Sequence, residues 1–540
     1  MRSHQCLAFF RKIINEMNTL WLPVALVVAL LSTAPGASSE SPRADPSYKV
    51  LVLGPIGSRS LYYLTKSLSE ALGDAGHSVT LVSTFEPSST HPNVTETPTG
   101  APIEYLEGFN IFEYRGMFSI FNWIVNVTTN VGRTMWRNAD ILKLWERRRE
   151  FDAIVIISYV NEIALPFLLD FEGVYVDLCT PGVEIFTIAR QGNWLPLSVT
   201  PSILLSFDEH MTFWERLVNP WVAWATYELY MRTTLPIIRS VVEEFFPQMP
   251  SIPELYDSSH LTLINGHFAL DGPVPLLPTQ VEIGTINARP PKPLPKDLEE
   301  FANSSGEQGI LYFSLGSIAK AKDIPLQNKL MFLEAFRRVP QKVIWKYEGD
   351  DLDLPPNVIT RSWLPQQDIL GHPKTKLFIS HCGNLGTQEA KYHGVPVLAV
   401  PVSFDQHRNA ARMASKGFGL VVNWEDMTTE SILEAIQTLL HNPFYAAKLK
   451  QVSEALKDQK ESPKERAAWW VEYAIRHNLR NASHFEYAGR KLHFLQYVGA
   501  DVIVFWAVAL HLWIALCYYL CAGRCRCCPQ RRKSKKKKMS

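Results

Sequence analysis

WLPQQDILGHPKTKLFISHCGNLGTQEAKYHGVPVLAVPVSFDQHRN, residues 363–409, is the stretch of this chain that decides the fold. Its apolar runs at 377–380 and 395–400 predict two buried strands. Between them, a turn that contains glycines leads into a predicted helix from about Thr387 to Tyr392. Strands that alternate with helices in this way are typical of a parallel sheet covered by helices on both faces.

The same stretch carries the features of a binding pocket. Glycines in a turn let the backbone approach an anion closely, and the N-terminus of a helix offers free N–H groups to that anion. A tryptophan, a helical glutamate and an Asp-Gln pair lie around the turn, where they can meet a base and the hydroxyls of a sugar. A carboxylate and an amide bind a polyol without a metal, so no metal or other cofactor is expected.

Outward from this stretch, the alternation of strands and helices continues through two domains. A proline-rich segment, RPPKPLP at 289–295, is typical of a semi-rigid linker and divides them. We predict a first domain over residues 40–288 and a second over 289–480, with a cleft at the carboxyl ends of their strands. The further strands are predicted at 49–55, 78–83, 153–157, 174–178, 310–315, 342–347 and 420–423, and the further helices at 61–75, ended by Gly76, and 428–440, capped by Thr428 or Thr429.

Both ends of the chain predict attachment to a membrane. Basic residues precede the apolar run 20–31, so we predict a secretory signal over residues 1–39, with an uncleaved anchor as the alternative. After a juxtamembrane segment at 481–501, the uncharged apolar run 502–523 is long enough to cross a bilayer as one helix. Nine basic residues follow within 524–540 and predict a cytoplasmic tail, which makes the topology single-pass type I.

The charge and the last residues narrow the compartment and the partners. Subtracting the nine basic residues of the tail from the formal net charge of +1 leaves about −8, so nucleic acid is not an expected partner. The ending Lys537-Lys538-Met539-Ser540 resembles an endoplasmic-reticulum retrieval signal.

Cysteines and sequons agree with a lumenal body. Two cysteines in the body, Cys179 and Cys382, imply no disulfide framework, and Cys525, Cys527 and Cys528 beside the membrane are candidates for acylation. The candidate glycosylation sites are Asn93, Asn126, Asn303 and Asn481.

In these features the chain resembles the animal UDP-glycosyltransferases, which conjugate lipophilic compounds in the endoplasmic reticulum. The resemblance covers most of the chain and includes MTFWERL at 211–217, SPKERAAWWVEY at 462–473 and the apolar helix with its basic tail. It implies a GT-B fold, in which two Rossmann-like domains face each other across a cleft. It also implies transfer of a hexose, glucose or glucuronate, from a UDP-sugar to a small lipophilic acceptor with inversion.

The resemblance implies a role for individual residues of the second domain. Trp363 would stack on uracil beside Gln366, and Glu389 would hold the ribose hydroxyls. His381 and Ser317 would contact the diphosphate from two sides. The complete set implied to bind the UDP-sugar is Ser317, Trp363, Gln366, His381, Gly383, Gly386, Thr387, Glu389, Asp405 and Gln406.

Two further implications concern the sugar and the diphosphate of the donor. Asp405 and Gln406 would bind the sugar hydroxyls, and they fit glucose; no basic residue dedicated to a glucuronate carboxylate is apparent. The family usually has a serine at the position of Gly386, so one hydroxyl contact to phosphate is lost here while the backbone N–H remains.

The first domain departs from the family pattern. The family uses a histidine as the general base that takes the acceptor proton, and an aspartate that orients it. Counting back from the Gly76-His77 pair, the histidine position is occupied by Leu61, and no histidine lies between the first strand and that pair. The aspartate position, after the strand near 153–157, is occupied by Ile157.

Three hypotheses therefore stay open from the sequence. The protein is a transferase for acceptors that need no base, such as amines; or Glu162 or Ser158 substitutes for the missing pair; or the protein is a catalytically impaired relative. In the last case it would bind UDP-sugar or lipophiles, or act as a regulatory partner that forms oligomers with related transferases.

Overall fold

The computed structural model describes residues 46–113, 117–158, 160–256 and 259–526, and the structural statements below concern these residues. The predicted signal and the tail from residue 527 onwards, with Cys527, Cys528 and the predicted retrieval signal, lie outside the described residues.

Seven strands pair in parallel in the first sheet. They are β1 (Lys49–Gly54), β2 (Ser78–Ser83), β3 (Val94–Pro98), β4 (Ala153–Ile157), β5 (Val174–Cys179), β6 (Leu261–Ile264) and β7 (Gln280–Glu282). Their spatial order is β3-β2-β1-β4-β5-β6-β7, so the direction of strand addition reverses between β1 and β4. In open α/β sheets, ligands bind in the crevice at such a reversal.

Helices cover this sheet where the sequence places apolar residues at helical spacing. The first helix begins because the Ser58 side chain accepts a hydrogen bond from the Leu61 N–H, and it buries Leu64, Leu68 and Leu72 on one face. The helices of this part are α1 (Arg59–Asp74), α2 (Glu104–Glu107), α3 (Met117–Met135), α4 (Ala139–Glu146), α5 (Ile185–Ala189), α6 (Phe213–Leu229), α7 (Leu235–Glu243), α8 (Ile252–Tyr256) and α9 (Phe268–Asp271).

Six strands pair in parallel in the second sheet. They are β8 (Ile310–Ser314), β9 (Lys342–Lys346), β10 (Val358–Arg361), β11 (Thr375–Ser380), β12 (Val397–Ala399) and β13 (Gly419–Val421). The spatial order β10-β9-β8-β11-β12-β13 reverses between β8 and β11.

The remaining helices follow the linker and run to the C-terminal end of the described chain. They are α10 (Lys296–Asn303), α11 (Leu326–Arg337), α12 (Gln366–Leu370), α13 (Asn384–His393), α14 (Gln406–Ser415), α15 (Thr429–His441), α16 (Pro443–Lys457), α17 (Pro463–Arg476), α18 (Phe494–Tyr497) and α19 (Ala500–Arg526).

Two parallel sheets with helices confirm the predicted α/β fold class. The strands that the sequence predicts lie within two residues of their predicted ends, and the predicted cap Thr428 accepts the Ser431 N–H at the start of α15. The helix predicted from about Thr387 begins earlier, at Asn384, because Gly383 already serves as its N-cap residue. Strands β3, β6, β7 and β10 were not predicted.

The helix α17 follows the second sheet in sequence but packs on the first. Its buried residues Ala467, Ala468 and Val471 belong to the same apolar core as strands β1 and β4. A buried histidine, His77, joins the two segments: its Nε2 lies 3.0 Å from Oε1 of Glu472, and its Nδ1 accepts the N–H of Tyr48. This contact makes His77 a structural residue.

The last helix is unlike the others because its side chains are mostly exposed. Residues Ala500–Leu520 form a helix long and apolar enough to cross a membrane, judged by length and composition. The predicted span 502–523 lies within α19. The four candidate glycosylation asparagines, Asn93, Asn126, Asn303 and Asn481, are all exposed.

Candidate functional site

The two strand-order reversals open into one cavity of about 1690 Å³. Residues that follow β1 and β4, among them Leu61 and Val160, line it from the first sheet. Residues that follow β8 and β11, among them Ser317 and His381, line it from the second. The fold therefore brings the predicted donor segment and the predicted acceptor segment to one cleft.

Trp363 marks one end of the donor half of the cavity. Its side chain is 51% exposed, so it does not serve core packing, and its ring is available for a planar ligand. Gln366 lies beside it at the start of α12, where it accepts a hydrogen bond from the Tyr312 hydroxyl at 3.2 Å.

Trp363 is flanked by two cations, neither of which was predicted from the sequence. The Arg59 guanidinium lies 5.4 Å from the centre of the Trp363 ring, and Lys346 Nζ lies 5.6 Å from it. Arg59 comes from the first sheet's side and pairs with Glu107 at 2.9 Å, whereas Lys346 ends β9 and pairs with Glu348. Both line the cavity and supply positive charge at its Trp363 end.

Glu389 is a buried carboxylate within α13. Its Oε1 accepts from Asn287 Nδ2 at 3.2 Å, and its Oε2 accepts from Gln366 Nε2 at 2.5 Å. Burial raises the pKa of Glu389 to about 7, although the hydrogen bond from Gln366 and the charge of Arg289 oppose this shift. The side-chain amides of Asn287 and Gln366 therefore occupy the two carboxylate oxygens to which ribose hydroxyls are predicted to donate.

The turn before α13 has the geometry of an anion site. Gly383, the N-cap residue, has no side chain to cap the helix, and the Asp405 carboxylate accepts the backbone N–H of Asn384 at the helix start. The N-terminus of a helix otherwise offers free N–H groups to an anion. The His381 ring packs between Gly316 and Gly383, where a Cβ on either glycine would lie 2.6 Å from the ring. Burial and the charge of Lys346 lower the pKa of His381 to about 4, so the imidazole is neutral at neutral pH.

The buried Nδ1 of this neutral ring has no hydrogen-bond partner among the described residues. A neutral imidazole can donate one hydrogen bond to a phosphate oxygen, but it adds no charge. Lys346, the ion-pair partner of Glu348, is the cation that lies close enough to lower the pKa of His381.

Cys382 follows His381 with its backbone in the left-handed region, at φ 62°. A residue with a Cβ adopts this conformation at a cost of about 1–3 kcal/mol, so the turn holds strain beside the anion site. Asn409 stabilises the turn by donating to the Cys382 carbonyl at 3.0 Å.

Ser317 and Thr387 have different surroundings. Ser317 lines the cavity after β8, opposite His381. Thr387 is buried outside the cavity lining, and its hydroxyl donates to the Asn384 carbonyl at 2.8 Å. Gly386 lines the cavity, and a Cβ there would meet nothing nearer than Gln366 Nε2 at 3.5 Å.

Asp405 and Gln406 lie at the start of α14, at the other end of the donor half. Burial raises the pKa of Asp405, opposed by the charge of Arg408 and a 2.6 Å hydrogen bond from Asn409. Gln406 Oε1 accepts the N–H groups of Val402 and Ser403, which leaves its amide N–H groups to donate toward the cavity.

The positions of the missing catalytic pair are apolar in the structure. Leu61 lies in the first turn of α1 and lines the cavity. Ile157 is buried at the end of β4, where its Cδ1 fills the space beside Gly54. Neither residue can accept a proton.

The two substitutes that the sequence left open are held by other groups. Ser158 donates to Asp177 at 2.6 Å, and Asp177 also pairs with Arg190 at 2.7 Å. Glu162 is fully buried behind the cavity wall, and its Oε1 accepts the hydroxyls of Tyr230, at 2.7 Å, and Tyr256. Its Oε2 has no hydrogen-bond partner within the described part of the chain, and Glu162 itself does not line the cavity, whereas both tyrosines do.

Aromatic rings build the wall of the acceptor half. Phe186 stacks on Tyr227 with ring centres 4.2 Å apart, and Trp194 stacks on Trp224 at 5.7 Å. Phe494, just before α19, packs edge-on against Trp194 and Trp224. Such a wall suits an apolar acceptor.

The described residues contain no group of three or more His, Cys, Asp or Glu side chains placed to hold a metal ion.

Comparison with known proteins places these residues in a family. Residues 57–538 match the family described as UDP-glucoronosyl and UDP-glucosyl transferase. UDP-glucosyltransferase 2 of Dactylopius coccus is 31% identical over 509 residues, which cover 93% of this chain and 95% of that protein. UDP-glucuronosyltransferase 1A8 of Homo sapiens is 31% identical over 423 residues, 76% of this chain and 77% of that protein.

Solved structures share the fold at low sequence identity. A spinosyn forosaminyltransferase superposes with a TM-score of 0.54 at 17% identity, covering 79% of this chain and 99% of its own. A UDP-glucosyltransferase from Polygonum tinctorium gives a TM-score of 0.52 at 16% identity, covering 80% of this chain and 99% of its own. Since the family match spans most of the sequence, the chain belongs to the UDP-glucuronosyl- and UDP-glucosyltransferase family and is a glycosyltransferase that takes its sugar from a UDP-sugar.

Proposed function

We propose that this glycosyltransferase moves a hexose, glucose or glucuronate, with inversion to a small lipophilic acceptor that is already nucleophilic when neutral, such as an amine. One observation carries the proposal. The donor half of the cavity holds polar groups for every part of a UDP-sugar, whereas the acceptor half has Leu61 and Ile157 where a base and its partner would stand.

An amine suits such a site because its lone pair needs no prior deprotonation. The nitrogen forms a bond to the anomeric carbon as the bond from that carbon to the diphosphate oxygen breaks, and UDP leaves with the electron pair. The new ammonium group then releases its proton to water. Lys346 and the N-terminus of α13 stabilise the negative charge that develops on the leaving diphosphate.

An alcohol or phenol would need a base, and the buried groups nearby offer a poor one. A proton would have to pass through the hydroxyl of Tyr230 or Tyr256 to reach Glu162, and burial together with that carboxylate raises the pKa of both tyrosines well above the usual value. Loss of a positioned base typically slows a reaction by about 10² to 10⁴.

The alternative function is a catalytically impaired relative that binds UDP-sugar and lipophiles, or that regulates active transferases as a partner in oligomers. The apolar residues at both catalytic positions, Leu61 and Ile157, are compatible with it. They are equally compatible with the amine-directed transferase, so turnover has to decide between the two.

We also propose that the body lies in the lumen of the endoplasmic reticulum, glycosylated, with α19 as a type I membrane anchor. The exposed apolar side chains of α6 support contact with the same bilayer. They are Phe213, Trp214, Leu217, Val218 and Trp221. Glycosidase treatment of the protein in sealed microsomes tests the topology, and protection of the glycans from an externally added enzyme is expected.

The deciding experiment uses purified full-length protein in detergent, with radiolabelled UDP-glucose and UDP-glucuronate against matched aryl amines and phenols. Conjugation of amines in large excess over phenols is expected. Equal conjugation of phenols would contradict the amine preference, and its loss in Glu162→Gln would then identify Glu162 as the base. UDP-sugar binding without turnover of any acceptor would favour the regulatory alternative.

A further inference from the structure

Phe404, directly before Asp405, has an unusual backbone. Its φ is 56°, in the left-handed region, where a bulky side chain is an outlier. Strain of this kind persists where the surrounding structure enforces it, and it clusters at functional sites. The strained backbone places an aromatic ring in the cavity wall beside the two residues that face the sugar.

The Phe404 ring meets a tryptophan from the other side of the cleft. Its centre lies 6.5 Å from that of Trp123, at an interplanar angle of 58°. Trp123 belongs to α3 and stacks on Phe109, with ring centres 4.7 Å apart and planes 23° from parallel. Trp123 and Phe404 both line the cavity, so an aromatic pair closes its sugar end from two sides.

The chemistry of this end favours a sugar without charge. A hexose ring presents C–H groups that pack on the negative face of an aromatic ring, whereas that face repels a carboxylate. The nearest acid, Asp405, repels a carboxylate as well. The nearby cation Arg408 is buried, and its terminal N–H groups donate to the carbonyls of Pro181, at 2.9 Å, and Val183, at 3.5 Å. Its Nε is the one guanidinium nitrogen left without a partner among the described residues.

We propose that Trp123 and Phe404 form a platform for the hexose of the donor and select a neutral hexose over a uronate. The proposal rests on the proposed use of a UDP-hexose and names its class. It predicts that the aromatic pair contributes to binding of the sugar and contributes nothing to binding of UDP.

The test compares affinities of UDP, UDP-glucose and UDP-glucuronate by titration calorimetry on the full chain in detergent. The wild type is expected to bind UDP-glucose about tenfold more tightly than UDP-glucuronate. Trp123→Ala and Phe404→Gly are each expected to lose most of that ratio while the affinity for UDP stays within about twofold. Glycine at 404 tolerates the positive φ, so Phe404→Gly removes the ring without forcing the backbone to move.

Trp123→Phe, which keeps a ring, should retain most of the preference. Trp469→Ala serves as the matched control, because Trp469 is a half-exposed tryptophan outside the cavity lining.

An unchanged ratio of the two affinities in Trp123→Ala and Phe404→Gly would overturn the platform. If these variants still bind UDP, the proposed UDP-sugar site itself is not contradicted. Tighter binding of UDP-glucuronate by the wild type would also overturn the proposal and point to Arg408 as the carboxylate partner. Absence of UDP binding in the wild type would refute both the platform and the UDP-hexose site beneath it.

Discussion

The two faces of the cleft use their buried polar groups in opposite ways. On the face of the second sheet, Glu389 accepts only side-chain amides, and Gln406 accepts two backbone N–H groups, which leaves its amide N–H groups for the cavity. On the face of the first sheet, Ser158 is paired with Asp177, and Glu162 is held by two tyrosines behind the wall. Polar groups poised toward a cavity make a binding site, whereas groups paired with one another make a core. The comparison teaches that the second-sheet face can exchange its internal hydrogen bonds for bonds to a ligand. The first-sheet face instead offers a ligand mainly apolar surface of a defined shape.

Restoring the missing histidine and aspartate on the first-sheet face should have the largest effect on the rate of conjugation. Leu61→His with Ile157→Asp supplies a base and its orienting carboxylate, so conjugation of phenols should rise by about 10² to 10⁴. Conjugation of amines should change little, because an amine needs no base. The measurement is kcat/KM for a matched phenol and amine.

Leu61→Met provides the control of similar size that cannot titrate. If the double variant folds, binds UDP-glucose normally and still leaves phenols untouched, the pair alone does not distinguish the two faces.

Removing the buried cation should weaken the second face. Lys346→Met takes away a charge beside the diphosphate, and charged hydrogen bonds of this kind contribute about 1.5–3 kcal/mol, so UDP should bind about 10 to 100 times more weakly. Calorimetric titration with UDP measures the change.

Lys329→Met is the matched control, because Lys329 is another buried lysine, on helix α11 beside the second sheet, bonded to Tyr347 and absent from the cavity lining. Equal UDP affinity in the two variants would show that Lys346 supports the fold and not the ligand.

The pH dependence of donor binding should follow Glu389. Its pKa is about 7 in the empty site, and ribose hydroxyls bind the charged carboxylate better, so a proton leaves when the donor binds. Affinity for UDP-glucose, which does not itself titrate in this range, should rise about tenfold from pH 6 to pH 8. Calorimetry in buffers of different ionisation enthalpy counts the released proton, and Glu389→Gln should abolish the release.

The raised pKa of Glu389 has the opposite effect on the stability of the ligand-free protein, which falls as pH rises. The unfolded carboxyl loses its proton near pH 4.5 and the folded one near 7, so the free energy of unfolding should fall as pH rises through that window. A pH-independent affinity for UDP-glucose would mean that Glu389 does not meet the ribose.

The smallest expected effect concerns Gly386, where the family usually has serine. The helix tolerates a Cβ there, with Gln366 Nε2 and a Phe378 carbon at ordinary contact distance. Gly386→Ser should therefore raise the free energy of unfolding by about 0.5 kcal/mol through helix propensity and tighten UDP binding about threefold. Thermal unfolding and titration measure the two effects, and weaker binding would show that the turn requires glycine.

Much of the fold could be predicted because its strands are buried on both faces. Runs such as VLVL in β1 and AIVII in β4 are continuously apolar, which is typical of parallel strands. Strand β3, VTETP, was not predicted because it is short, polar and at the sheet edge. The return of α17 to the first sheet could not be predicted, since no local pattern in SPKERAAWWVEY specifies which core its apolar face covers.

Most of the second-sheet residues that line the cavity could be predicted because they lie in one stretch of the chain, 363–409. Lys346 could not, because KVIWK gives the pattern of a core strand and the lysine reaches the cavity only through its place at the end of β9. Trp123 and Phe404 are distant in sequence, and only the folded cleft brings them together.

The return of α17 to the first sheet also fixes where the last helix leaves the molecule. Because the segment after α16 rejoins the first sheet, and Phe494 then packs on Trp194 before α19 begins, the second sheet is an insertion tethered by two crossings. The helix α19 therefore continues from the first-sheet side, next to the aromatic wall that Trp194 and Trp224 form with Phe494.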